Sequence, residues 1–412
     1  MKHNCNSVPP ENPFNDEVEK QHFYSILAAF KYYKTAALNR VERREQFVDA
    51  LPLRHQARLP RYRRALQDMR DAILHNHQLI CLLVEGAQTI FENVPSQELL
   101  QQHLPGDPGV HYVLKQVVRD WSAAGALERL QCYTPVIQQI QREFPDPSGV
   151  SVLVPGAGLG RLAYEIAVLG YICQGNEFSF FMIFASNFVL NKCHEVNQYS
   201  VHPWAHQLVN NLTCEEQLRS VSFPDTSPAA LQGQEFSMVA GDFVEVRSSH
   251  IQFVYTKEAE WNCVATCFFI DCAPNVIDFI ETIYHILKPG GVWVNIGPLL
   301  YHFCDTDTEG SIEPPFDILC DIIKDVGFII EKSETGVKTK YFHNPSSMLQ
   351  HEYDSVFLVC RKPFIQTSDC IHITTNSAIS YLHVKPVAQY HCYSYTSRHE
   401  QSRLNELTES EG

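Results

Sequence analysis

Val152-Leu-Val-Pro-Gly156-Ala-Gly158-Leu-Gly160-Arg161 reads as a short apolar strand that runs into three alternate glycines and then into a helix. Glycine at such a turn allows backbone conformations that other residues resist, and it lets a ligand come up against the main chain. The spacing is G-x-G-x-G. Arg161 stands where the dinucleotide fingerprint G-x-G-x-x-G needs its third glycine for close helix packing, which counts against a nicotinamide enzyme. Outward from this turn the pattern alternates strand and helix. Strands are predicted at Val150–Val154, Tyr171–Gly175, Phe236–Ala240, Cys263–Ile270, Val292–Ile296, Phe328–Glu331 and Val356–Cys360. Helices are predicted at Leu159–Val168, Ser179–Val196, Val276–Leu287 and Phe316–Val326. Such alternation predicts an α/β doubly wound sheet, largely parallel, whose last two strands can close antiparallel and whose ligand crevice lies at the strands' carboxyl ends.

Upstream, from Asn15 to Arg142, apolar positions such as Phe23, Ile26, Leu27 and Phe30 recur at helical spacing, and an N-terminal all-α region is predicted. Its breaks fall near Leu51–Pro60 and in the Pro- and Gly-rich Leu104–Gly109. The basic stretch Arg54–Arg70 interleaves arginines with Leu66, Met69 and acids, and reads as a solvated helix face rather than a nucleic-acid surface. The expected organisation is a disordered 1–14, a helical region 15–147 that completes the ligand pocket, a catalytic domain 148–363, and a poorly ordered tail 364–412.

The chain has 412 residues and a formal charge of −15, which disfavours phosphate backbones and anionic lipid and favours cationic or zwitterionic partners. No apolar run is long enough for a membrane helix, and Met1–Pro13 lacks the apolar segment of a signal peptide, so an intracellular protein is expected. The fourteen cysteines are scattered through apolar segments and read as reduced core thiols. Cys263, Cys267 and Cys272 lack C-x-x-C spacing and are read as buried hydrophobes, so no metal site is expected.

Three further residues give the glycine turn its context. Glu177 follows the second predicted strand, where a carboxylate can accept from both ribose hydroxyls of an adenosine. Asp242 and Phe243 follow the third, where they can accept from an adenine amine and pack against its ring. This order is similar to that of the S-adenosylmethionine contacts in seven-strand, class I (Rossmann-like) methyltransferases.

Longer segments carry a closer resemblance. Gly175-Asn-Glu-Phe-Ser-Phe-Phe-Met182, Ala265-Thr-Cys-Phe-Phe-Ile-Asp271 and Leu287-Lys-Pro-Gly-Gly-Val-Trp-Val-Asn-Ile-Gly-Pro-Leu-Leu-Tyr-His302 resemble the signature blocks of the carnosine N-methyltransferases. Arg119-Asp-Trp-Ser and Glu128-Arg-Leu-Gln-Cys-Tyr-Thr-Pro135 do so in the helical region. The resemblance spans Phe23 to Pro363 and implies a homodimeric, S-adenosylmethionine-dependent enzyme of cytoplasm and nucleus that methylates the imidazole (pros) nitrogen of carnosine to give anserine. It implies cofactor contacts from Gln116, Arg119, Gly156, Gly158, Glu177, Asp242, Phe243 and Cys267, and a substrate set of Asp271, His302, Tyr341 and Tyr353, with Asp271 catalytic. Departures are a longer Arg247–Glu260 connection, the tail after Pro363, Phe178 in place of a tryptophan, and Cys272-Ala-Pro-Asn275 in place of Thr-Ala-His-Asn.

Without the resemblance, each of these residues has an ordinary structural role open to it. Asp271 can cap the helix that Pro274 and Asn275 open, His302 can sit satisfied in a core, and Tyr341 and Tyr353 can be half-buried aromatics. Three other readings stay open: a methyltransferase acting on histidine in proteins, a nicotinamide dehydrogenase, against which Arg161 argues, and a non-catalytic binding or scaffold protein.

Overall fold

The structure, a computed structural model, describes residues 17–90, 109–231, 233–244, 259–304 and 310–364. The expected disorder of 1–14, the Leu104–Pro108 break, the bulk of the Arg247–Glu260 connection and the tail after Phe364 lie outside these residues. Helical periodicity gives α1 (Glu17–Ala50), α2 (Leu53–Gln56), α3 (Pro60–Ile90), α4 (Val110–Trp121) and α5 (Ala126–Glu143). The basic stretch behaves as a solvated face: Leu66 and Met69 are buried, while Arg54, Arg58, Arg61 and Arg64 are exposed.

From Ser151 the chain alternates as β1 (Ser151–Pro155), α6 (Arg161–Val168), β2 (Ile172–Glu177) and α7 (Phe180–Lys192). After β3 (Tyr199–Val201), α8 (Cys214–Gln217) and β4 (Val221–Phe223) come β5 (Phe236–Ala240), β6 (Trp261–Cys267), α9 (Val276–Ile286) and β7 (Leu287–Gly297). The chain closes with α10 (Phe316–Val326), β8 (Ile329–Lys340) and β9 (Glu352–Arg361). All seven predicted strands enter one sheet of order β5-β2-β1-β6-β7-β9-β8. It is parallel except at β9, which runs antiparallel to β7 and β8.

Strict alternation buries both faces of the central strands. Val152, Val154, Cys263, Ala265, Val292 and Val294 point toward α5 and α6, whereas Leu153, Val264, Trp293 and Leu358 point toward α9 and α10. Helix α5, which sequence groups with the N-terminal helices, is therefore one layer of the sheet. A third core joins α1, α3, α4 and α7 through Phe30, Leu66, Trp121 and Phe184.

Two departures have local causes. Helix α7 stops at Lys192 rather than Val196 because Gln198 Oε1 accepts from the backbone N–H groups of His194 and Glu195, at 2.7 and 3.2 Å, and rounds off the chain there. Strands β3 and β4 were not expected. They pair antiparallel over three residues each and are pinned to the helical region by Asn76, whose side chain accepts from His202 N–H at 2.7 Å and donates to His202 O at 2.9 Å.

Arg161, the residue that breaks the dinucleotide fingerprint, has a definite task. Its Nη1 donates to Asp120 O at 2.9 Å and to Asp225 Oδ1 at 2.5 Å, and its guanidinium lies 5.0 Å from the Trp121 ring. Arg129 also reaches Asp225, so one carboxylate ties α5 and α6 to the chain following β4. Arg161→Ala should lower unfolding free energy by about 3 kcal/mol, the scale for breaking a buried pair. Chemical denaturation checks this; a loss under about 1 kcal/mol, the ceiling for most exposed pairs, would make the contact incidental.

Candidate functional site

The carboxyl ends of β1, β2, β5 and β6 open into a cavity of about 890 Å³. That is within the range of pockets that enclose small ligands. The glycine turn forms its floor. Gly156 and Gly158 have φ of 64° and 57°, and a Cβ on Gly156 would come within 2.4 Å of the Phe269 ring. The turn is anchored to β2 by Ala157 N–H, which donates to Asn176 O at 2.9 Å.

Glu177 ends β2 and is buried, with three backbone donors on its carboxylate. Oε2 accepts from Gly158 N–H at 2.8 Å, and Oε1 from Phe178 and Ser179 N–H at 2.9 and 2.8 Å. Burial raises its pKa and the three donors pull it back. Asp242 stands at the end of β5, which is tied to β2 by Gly241 N–H donating to Glu177 O at 3.0 Å. Its Oδ1 accepts from Val244 N–H at 2.8 Å, and burial raises its pKa too. Phe243 is buried with its ring edge-on to Phe269 and Phe279, at 5.4 and 5.5 Å.

Beyond β6 the backbone turns sharply. Phe268 has φ of 54° and packs against Gly297, where a Cβ would come within 3.1 Å of the Phe268 backbone. A non-glycine residue in this region marks a held conformation of the kind found at functional sites. The turn delivers Asp271, whose Oδ2 accepts from Leu300 N–H at 2.9 Å and whose carbonyl accepts from His302 N–H at 3.0 Å. Capping of α9 falls to Asn275, which accepts from Ile277 N–H at 3.1 Å, so Asp271 is not the helix cap. Burial raises the Asp271 pKa from its ordinary value, and the neighbouring His302 opposes this.

The helical region supplies the remaining wall. Gln116 and Arg119, three apart on α4, both line the cavity. Behind them sits Asp120, buried, which sequence reasoning did not single out. Its Oδ1 accepts from Arg119 Nη1 at 2.9 Å and Tyr133 OH at 2.8 Å; its Oδ2 accepts from Gln116 Nε2 at 2.8 Å and Leu159 N–H at 3.3 Å. Trp121 Nε1 donates to Leu159 O at 3.0 Å, so α4 grips both backbone groups of a residue inside the glycine turn. Tyr341 OH donates to Gln116 Oε1 at 3.2 Å, and its ring lies 4.5 Å from the Arg119 guanidinium. Asp120 lies four residues after Gln116 and beside Arg119, but nothing in that spacing points to the Leu159 N–H it accepts from.

Eleven of the twelve sequence-predicted residues line this cavity. Tyr353 is the exception. It pairs with Thr339 in the β8–β9 ladder and meets Phe268 edge-on at 5.8 Å. Cys267 and Cys272, read from spacing as buried hydrophobes, are only half-buried and line the cavity, where the resemblance had placed Cys267; Cys263 is buried as expected. Phe178, 42% exposed, lines the cavity mouth. Among the described lining residues the carboxylates are Glu177, Asp242, Asp271 and Asp278, against the one guanidinium of Arg119. Such a cavity favours a cationic occupant.

Comparison with known proteins places this arrangement. A family model described as carnosine N-methyltransferase matches residues 106–364. The carnosine N-methyltransferase unmet of Drosophila melanogaster is 46% identical over 378 residues, covering 85% of this chain and 81% of that protein. The Mus musculus carnosine N-methyltransferase is 44% identical over 358 residues, covering 84% and 88%. That of Schizosaccharomyces pombe is 35% identical over 367 residues, covering 84% and 97%. With the family model matching more than half of its length and these relatives most of it, the chain belongs to the carnosine N-methyltransferase family.

Proposed function

We propose that this chain transfers the methyl group of S-adenosylmethionine to the pros nitrogen of the carnosine imidazole, giving anserine. The observation that carries the reading is one cavity lined together by a glycine turn, two strand-end acids, Asp271 and His302. S-adenosylmethionine, when bound, supplies an electrophilic methyl carbon on a cationic sulfur. The residues suit it: the glycine turn leaves room for its backbone-side approach, Glu177 Oε2 retains a lone pair for a ribose hydroxyl, and Asp242 has a second carboxylate oxygen. Gln116, Arg119 and Cys267 border the same space, and the excess of carboxylates balances the sulfonium. Completion of the pocket by the helical region 15–147 belongs to this proposal, carried by the hold of α4 on Leu159.

Displacement at a sulfonium carbon asks for orientation more than for a protein nucleophile. An imidazole with a pKa near about 6.5 already offers an unprotonated nitrogen at neutral pH. What remains is the choice of nitrogen. Asp271 is fixed by Leu300 N–H on one oxygen and can accept the substrate N–H on the other, turning the opposite lone pair toward the methyl carbon. Its charge also stabilises the imidazolium as it forms. His302 and Tyr341 then flank the dipeptide, and Tyr353 acts through Phe268 rather than by contact. A homodimer and a location in cytoplasm and nucleus are carried by the resemblance, and the proposal of no nucleic-acid or membrane partner by the formal charge of −15 and the lack of a long apolar run. Among the described residues no helix is long and apolar enough to cross a membrane.

Two outcomes test this. Glu177→Gln should weaken S-adenosylmethionine binding by about 1.5–3 kcal/mol, the value of a hydrogen bond to a charged group, when measured by calorimetry on a folded variant. Unchanged affinity would remove Glu177 from the cofactor site. Asp271→Asn should cut turnover of carnosine by about 10²–10³-fold while cofactor affinity holds, as expected for loss of a charge aimed at the reacting group. The pH profile adds a sign. The ionised carboxylate is the working form and its pKa is raised, so wild-type activity should fall as pH drops through that raised pKa. That limb should vanish in Asp271→Asn, leaving the limb of the acceptor imidazole. Methyl transfer to protein histidine but not to carnosine would replace the proposed acceptor.

A further inference from the structure

At the acceptor end of the cavity Cys272, a thiol that the proposed methyl transfer does not use, stands beside Asp271 and His302. Cys272 Sγ lies 3.9 Å from His302 Nε2 and 4.0 Å from Asp271 Oδ1. One ligand atom from each of the three residues falls within 4.8 Å of the others. We propose that Asp271, Cys272 and His302 form a site for Zn²⁺, and that zinc bound there excludes the imidazole acceptor.

Chemistry and geometry both favour this ion. Thiolate, imidazole and carboxylate are the donors zinc takes, and three protein ligands with one open position is its arrangement in accessible sites. Mg²⁺ and Ca²⁺ prefer six or more oxygens, which this cluster does not offer. With Zn–S near 2.3 Å and Zn–N near about 2.0–2.1 Å, a tetrahedral ion needs sulfur and nitrogen about 3.6 Å apart. The observed 3.9 Å asks for a few tenths of an ångström of closure in that pair, and the Asp271 oxygen, within 4.8 Å of both, must close in on them as well. Asp271 is already oriented by Leu300 N–H and Cys272 follows it in sequence, so one short turn presents two of the donors. All three line the cavity, which gives the ion a path in. On coordination the Cys272 thiol, now directed at Phe268 O at 3.7 Å, gives up its proton to solvent.

The competition half of this inference rests on the proposed acceptor role of Asp271; the metal site does not. Zinc at this position occupies the carboxylate oxygen that the imidazole N–H would use. The full chain, freed of metal, is titrated with Co²⁺ as a spectroscopic substitute for zinc, in wild type, Cys272→Ser and His302→Gln. One equivalent should bind with a sulfur-to-cobalt charge-transfer band that Zn²⁺ abolishes. Loss of a residue that merely supports a ligand costs about 10–100-fold in metal affinity, so loss of the thiolate should cost at least tenfold and remove the band. His302→Gln should keep the band and bind at least about tenfold more weakly. No band, or the same band in Cys272→Ser, overturns the site. In rate measurements with free zinc fixed by a metal buffer, zinc should raise KM for carnosine and leave kcat unchanged. Zinc that binds but leaves KM unaltered overturns the competition. Should wild type fail to methylate carnosine at all, the acceptor assignment falls while the cobalt titration still decides the metal site.

Discussion

The carboxylate of Asp120 is the constraint on which the rest of the site depends. Buried and ionic, it is tolerable only with its lone pairs filled, and four donors fill them: Arg119, Tyr133, Gln116 and the backbone N–H of Leu159. Three of those donors come from α4 and α5 and the fourth from the glycine turn. Satisfying one charge therefore fixes the helical region against the sheet's carboxyl edge. Trp121 and Arg161 reinforce the junction from either side, the first through Leu159 O and the second through Asp120 O.

The same logic recurs around the cavity. Glu177, Asp242 and Asp271 each stand at or beyond the carboxyl end of a parallel strand, and each is oriented by main-chain N–H groups that leave acceptor capacity toward the cavity. Backbone donors position a carboxylate without neutralising it. Burial raises all three pKa values, so the charged forms are held at a cost that a cationic or N–H-bearing ligand relieves. A sulfonium and an imidazole are ligands of that kind.

Much of this was legible in sequence because it is local. The glycine turn, Glu177 and Asp242 are strand-end features, and strand ends follow from alternation and turn chemistry. Gln116 and Arg119 were readable as one helix face. Asp120 was not, since in sequence it is an acid beside an arginine, and its value lies in a donor 39 residues away. Tyr353 was placed in the site by resemblance, but ladder register with Thr339 sets it against Phe268 instead of the cavity. Strands β3 and β4 escaped because runs of three residues carry no period, and their order depends on Asn76 in another part of the chain.

The Asp120 carboxylate joins α4 to the glycine turn, and under the proposed function that junction completes the cofactor pocket. Asp120→Asn is the direct probe: an amide offers one accepting oxygen where four donors converge, so its nitrogen must face a donor. Hydrogen exchange at 156–160, followed with S-adenosylmethionine affinity on the same folded variant, reads the junction and its consequence together. Protection of the Leu159 amide should be lost and cofactor affinity should fall at least about tenfold, the scale of one lost charge-assisted hydrogen bond. Retained protection with unchanged affinity would contradict it and show that the glycine turn holds its shape without the helical region.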